Sequence, residues 1–131
     1  MRRIRSSGVA LIGALVALPL TVTGVNAWGA LAIGYSPDRM EVATGGVVGH
    51  PSEDEARKAA VESCRTAKGG SDQARSTCVV VSTFQNQCFA FAGAHWVLSA
   101  TEEAARVQAF ARCYGRACAV SSGCDGKGSS R

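Results

Sequence analysis

Ser52–Cys64 reads SEDEARKAAVESC, and Thr101–Cys113 reads TEEAARVQAFARC. Each stretch opens on a hydroxyl residue, passes through acidic residues into an alanine-rich run, and ends in cysteine. The offset from hydroxyl to cysteine is 12 residues in both. A hydroxyl followed by acids is a helix start: the side-chain oxygen accepts from an orphan N–H of the first turn, and the carboxylates favour the positive end of the helix dipole. Ser52 with Glu55 three residues on has capping-box spacing. The pattern predicts a helix over each stretch, pinned at its C-terminal end by cysteine. Ala56, Ala59, Ala60 and Cys64 share a face of small side chains in the first helix. In the second, the reading places Val107 and Phe110 on the core face beside Ala109 and Cys113.

The flanks of these helices read as strands. Trp28–Ile33 is an apolar run without helix caps. Ser36-Pro37-Asp38-Arg39 is a turn with proline at its second position. Met40, Val42 and Thr44 then alternate with Glu41 and Ala43 as a returning strand, which Gly45-Gly46 and Gly49 are expected to break. Residues 44–51 lack the lysine and glycine spacing of a phosphate-cradling loop. Lys68–Thr77 is polar and reads as a loop. Cys78–Phe84, CVVVSTF, is the strongest strand signal, and Cys88–Gly93 follows after a Gln85-Asn86-Gln87 turn. Ala30-Leu31-Ala32 and Ala90-Phe91-Ala92 share an order of small, large, small. His95–Leu98 leads into the second helix. Cys118-Ala119-Val120 then echoes Cys78-Val79-Val80, and Cys124 answers Cys88. The expected fold is α+β: a small disulfide-stapled domain with an antiparallel sheet and two helices on one face, built from two degenerate strand–helix–strand repeats.

The ends of the chain frame this domain. Arg2, Arg3 and Arg5 precede the uncharged apolar stretch Val9–Leu20, and Val25-Asn26-Ala27 has the small residues of a cleavage site. Residues 1–27 therefore read as a cleaved secretory signal peptide. The apolar run is too short to span a bilayer, so no stable membrane insertion is expected after cleavage, and the expected location is secreted or periplasmic. Residues 28–124 form one domain, and the Gly/Ser-rich 125–131 reads as a flexible tail. The formal charge of +4 shrinks without the signal: 11 basic residues remain against 10 acidic ones. No basic cluster argues for nucleic acid.

All six cysteines follow the signal, and an even count in an exported chain implies disulfides. Zinc would need paired ligands. The chain has no C-x-x-C, and His50 and His95 are isolated; neither a metal nor a cofactor is expected. Six cysteines allow 15 pairings. The doubled pattern selects one: each helix ends in a cysteine and the next strand starts with one. This pairs Cys64 with Cys78 and Cys113 with Cys118, and leaves Cys88 for Cys124.

Trp28-Gly29-Ala30-Leu31-Ala32, the capped helix ending in Cys64, Cys78-Val79-Val80, Phe84, and Cys88 with Ala90 and Ala92 together resemble small exported bacterial proteins classed as domain of unknown function 4189. The resemblance spans about Trp28 to Cys124. The chain departs in having Ile33-Gly34 before Tyr35-Ser36, where the family often runs straight into Tyr-Ser, and in a longer loop between Cys64 and Cys78. The family carries no agreed activity, so the resemblance implies fold and export but no reaction.

Candidate chemistry is sparse. Cysteines that are all paired offer no thiolate. His50, beside Pro51, and His95 are the available bases, and neither sits in a motif. The acidic cluster at 53–55 is accounted for by the helix start. Trp28, Tyr35, His50, His95 and Trp96 form the candidate binding patch, since aromatic platforms serve glycan and peptide recognition; the same aromatics equally suit a core. No Ser-His-Asp, paired-carboxylate or metal spacing is present. Two classes survive: a non-catalytic binding or inhibitor module acting on an envelope, host or competitor protein, and a small extracellular hydrolase.

Overall fold

The computed structural model describes residues 27–113, 118–126 and 128. Residues 1–26, within the stretch expected to be a signal peptide, and most of the 125–131 stretch lie outside the described residues, as do 114–117. The elements run β1 (Trp28–Tyr35), β2 (Val42–His50), α1 (Glu53–Arg65), α2 (Asp72–Ser76), β3 (Val79–Phe84), β4 (Cys88–Ala92), β5 (His95–Ser99), α3 (Glu102–Ala111) and β6 (Val120–Cys124).

The class is α+β, but the strands divide into two antiparallel three-stranded sheets, ordered β2-β1-β3 and β5-β4-β6. The connectivity is the same in both: a hairpin, a helix, then a third strand returning to the free side of the first. The physical reason for two sheets lies in the central strands. Successive strand residues face opposite sides. In β1, Ala30 and Ala32 pack on α1, while Leu31 and Ile33 face the other way. In β4, Ala90 and Ala92 pack on α3, while Phe89 and Phe91 face the other way. Both faces of each strand are apolar, so each needs a layer on both sides. The sheets therefore stack on one another, each with its helix outside, in the order α1, sheet, sheet, α3. The helices lie on opposite outer faces rather than on one.

Leu31, Ile33, Phe84, Phe89 and Phe91 fill the layer between the sheets, with Phe84 and Phe89 ring centroids 5.9 Å apart. Burial of each such side chain stabilises by about 1.5–3 kcal/mol, so this layer supplies most of the cohesion between halves. The helix layers are made of alanine and cysteine: Ala30, Ala32, Ala56, Ala60 and Cys64 on one side, Ala90, Ala92, Ala105, Ala109 and Cys113 on the other. Small side chains bring helix and sheet backbones close.

That closeness explains Gly45 and Gly46. Both lie inside β2, which continues to His50 instead of breaking. A Cβ on Gly45 would sit 2.5 Å from the Ala60 carbonyl oxygen and 2.4 Å from the Cys64 nitrogen, and one on Gly46 would sit 2.5 Å from the Phe89 ring. The glycines admit the helix on one face and an aromatic ring on the other. β2 begins at Val42, not Met40. Met40 is in the preceding turn, where its N–H donates to Asp38 Oδ1 at 3.1 Å, and its side chain is 82% exposed.

The helix starts are as the sequence dictates. Ser52 Oγ accepts from Glu55 N–H and Thr101 Oγ1 from Ala104 N–H, each at 3.2 Å. The polar stretch 68–77 holds a short helix that was not expected: Ser71 caps α2 by accepting from Ala74 N–H, and Ala74 is buried against the first core. His95–Ser99 is strand β5, not a lead-in to the helix. The disulfides are Cys64–Cys78, Cys88–Cys124 and Cys113–Cys118, the pairing expected from the doubled pattern. At the rim between sheets, Gly49 N–H donates to Asp125 Oδ1 at 3.3 Å. Asp125 is buried, and its own N–H donates to the Gln87 carbonyl at 2.9 Å.

Candidate functional site

Helix α3 crosses the outer face of β4 through Ala105, Ala109 and Cys113. Residues 107 and 110 fall on its opposite side. Val107 is 63% exposed and Phe110 57%, so neither belongs to the core face on which the sequence reading placed them. The doubled pattern carried the signal that corrects this. Its fixed offset matches Ala105 and Ala109 with Ala56 and Ala60, and matches Val107 with Lys58, a solvent position.

With Arg106, Ala111 and the strand residue Val120, these two side chains line an open groove of about 460 Å³ between α3 and β6. At one end of the groove stands a polar cluster. Ser122 Oγ donates to Glu102 Oε1 at 2.7 Å, and Arg106 Nη1 donates to Ser122 Oγ at 3.0 Å. The first half contains the counterpart: Thr83 Oγ1 donates to Glu53 Oε1 at 3.1 Å, and Arg57 pairs with the same carboxylate at 3.5 Å. A carboxylate in the first helical turn thus meets a hydroxyl on the third strand twice. No sequence motif announces these contacts, because each joins residues 20 or 30 positions apart.

The corresponding groove between α1 and β3 is lined by Arg57, Lys58, Val61, Glu62, Arg65 and Val80. It has the same walls with a different chemistry: Lys58 stands where α3 has Val107, and Glu62 where it has Ala111. The fold accepts charge at those two positions, whereas Phe110 corresponds to Val61, which packs against the first core, and Val120 packs against the second.

The aromatic patch read from the sequence does not converge on one surface. Trp28 and His50 are register partners at one end of the first sheet. Tyr35 is at the far end of β1, about 23 Å away at a strand rise of roughly 3.3 Å per residue, with the Arg39 guanidinium 5.5 Å from its ring centroid. Trp28 packs partly against the α1 core, and Tyr35 and Trp96 border the layer between sheets. His95 and Trp96 do share a surface, a cleft of about 480 Å³ completed by Leu98, Gln108 and Arg112. Among the described residues, no group of three or more His, Cys, Asp or Glu is arranged to hold a metal ion, and no helix is long and apolar enough to cross a membrane.

These features define a disulfide-stapled α+β domain with two layers of sheet, an outer helix on each, and an apolar groove between α3 and β6. The chain belongs to the family described as domain of unknown function (DUF4189), whose model matches residues 28–125. No curated protein and no solved structure matches the chain.

Proposed function

We propose that this is an exported, non-catalytic binding module that acts on an envelope, host or competitor protein, in one form of that role as an inhibitor. Export is supported by the signal pattern of residues 1–27 and by three disulfides, which persist in oxidising compartments. The observation that carries the binding role is the exposed apolar groove of Val107, Phe110 and Val120 beside α3. Val107 and Phe110 are large apolar side chains exposed on α3, and exposed apolar surface rimmed by polar residues marks an interaction site. For the hydrolase alternative, Ser122 and Glu102 offer a hydroxyl–carboxylate pair beside the groove. Its recurrence as Thr83 and Glu53 beside a charged groove favours a structural clip.

The test is cross-linking capture from cell envelope and culture supernatant with the wild type and Phe110→Asp in parallel, alongside peptidase, esterase and peptidoglycan hydrolase assays. A partner retained by the wild type and lost by the variant supports the reading. Partners retained equally by both, or turnover abolished by Ser122→Ala, His50→Ala or His95→Ala in a folded protein, overturn it.

A further inference from the structure

We infer that Asp125 receives the α-ammonium group that cleavage after Ala27 creates on Trp28, so that removal of the signal segment locks the rim between the two sheets. The inference rests on the export reading and adds what cleavage does to the folded domain.

Asp125 is 3% exposed. One of its carboxylate oxygens, Oδ2, is buried with no hydrogen-bond partner among the described residues. The other, Oδ1, accepts the Gly49 N–H at 3.3 Å. The ion pairs of the described residues, Arg57 with Glu53 and Arg75 with Asp72, lie elsewhere. A buried carboxylate is costly unless it is paired and hydrogen-bonded. The group that suits Oδ2 is a cation carrying its own donors.

The contacts of Asp125 point to the start of the mature chain. Its N–H donates to the Gln87 carbonyl, in the turn that follows Phe84, and Phe84 is the register partner of Gly29. Its Oδ1 holds Gly49, the neighbour of His50, and His50 is the register partner of Trp28. Residues 28 and 29 are thus flanked on both sides by segments that Asp125 ties together. The β1–β2 ladder is irregular at this end, where two steps from Trp28 to Ala30 match three from His50 to Val47. Opposed Cα atoms in an antiparallel pair are about 5 Å apart and successive ones about 3.8 Å, so the Trp28 nitrogen lies within about 12 Å of the Gly49 nitrogen.

Before cleavage that nitrogen is an uncharged amide with a single N–H. After cleavage it is an ammonium, largely protonated at neutral pH, with three donors. Charge-assisted bonds of this kind are stronger than neutral ones. The precursor is thereby the looser form of the domain and the exported chain the tighter one.

The test compares three chains: the mature chain from Trp28, the same chain with Asn26-Ala27 in front, and the mature chain acetylated on Trp28. In urea titration the extended and acetylated chains should each show an unfolding constant larger by about tenfold, the effect of one hydrogen bond to a charged group. Asp125→Asn should erase the differences, and Lys127→Gln should leave them. At neutral pH the Trp28 amine should react with acetic anhydride about tenfold more slowly in the wild type than in Asp125→Asn, since the pair holds it protonated. Should Asp125→Asn fail to fold, the comparison of the three wild-type chains decides. Equal stability of those chains, or a difference that persists in Asp125→Asn, overturns the proposal and leaves the export reading standing. Loss of the difference in Lys127→Gln assigns Oδ2 to that side chain and also overturns it. Exported protein that does not begin at Trp28 overturns the cleavage site and the proposal with it.

Discussion

Ser122 on the last strand donates its hydroxyl hydrogen to the Glu102 carboxylate in the first turn of α3, at 2.7 Å. The bond joins the edge strand of the second sheet to the start of the helix that covers it, and Arg106 is anchored on the same hydroxyl. A hydrogen bond to a charged group contributes about 1.5–3 kcal/mol. Both residues are half-buried, which favours the low end. Ser122→Ala should lower the unfolding free energy by about 1.5 kcal/mol in urea titration. Thr83→Ala, which removes the longer counterpart to Glu53, should cost about 1 kcal/mol. A change below 0.3 kcal/mol in both would show that the clips do not hold the helices.

Gly45→Ala should be among the most damaging small substitutions in the chain. The added methyl would meet backbone atoms of α1 at 2.4 and 2.5 Å, and neither can move without lifting the helix from the sheet. Overpacking of this kind costs about 1–3 kcal/mol or more. Ser63→Ala, on the same helix and half-buried, provides the control. The two variants should separate clearly in thermal melting, with Gly45→Ala alone losing cooperativity or much of its midpoint.

Cys88 and Cys124 bridge the first and last strands of the second sheet, 36 positions apart. The chain-entropy estimate gives about 4 kcal/mol for that loop, about 3 for Cys64–Cys78 and about 2 for Cys113–Cys118. Paired Cys→Ala replacements should lower stability in that order. Loss of Cys113–Cys118 proving the most destabilising would count against the loop-entropy account.

Asp38, in the turn between β1 and β2, is held below the usual carboxylate range, first by the Ser36 hydroxyl donating to it at 2.5 Å and then by the Met40 N–H. Both bonds favour the charged form. A depressed folded-state value contributes stability above the unfolded pKa of about 3.9, and that contribution disappears as pH falls through the folded-state value. In a carboxylate NMR titration Asp38 should titrate below an ordinary aspartate, and Ser36→Ala should raise it. An unchanged midpoint in Ser36→Ala would assign the effect elsewhere.

Much of the fold was legible in the sequence because it rests on local chemistry. Ser52 and Thr101 had to start helices, since a hydroxyl before acids satisfies orphan N–H groups. The matching cysteines at the ends of the two stretches led to the disulfides. The small-large-small order around Leu31 and Phe91 marked two strands as equivalent, and the structure places each at the centre of its own sheet. What the alternation leaves open is which layer covers the large face, and that depends on residues distant in sequence. Only the tertiary structure decided that Phe84, Phe89 and Phe91 meet Leu31 and Ile33 between two sheets, and that Gly45 and Gly46 stay within a strand because a helix and a ring occupy the missing Cβ positions. The same holds for the groove. Val107 and Phe110 have the composition of a core, and hydrophobicity alone reads them as one. Their exposure is fixed by which side of α3 the alanines need for close contact with β4, a constraint of packing geometry that no single stretch of sequence contains.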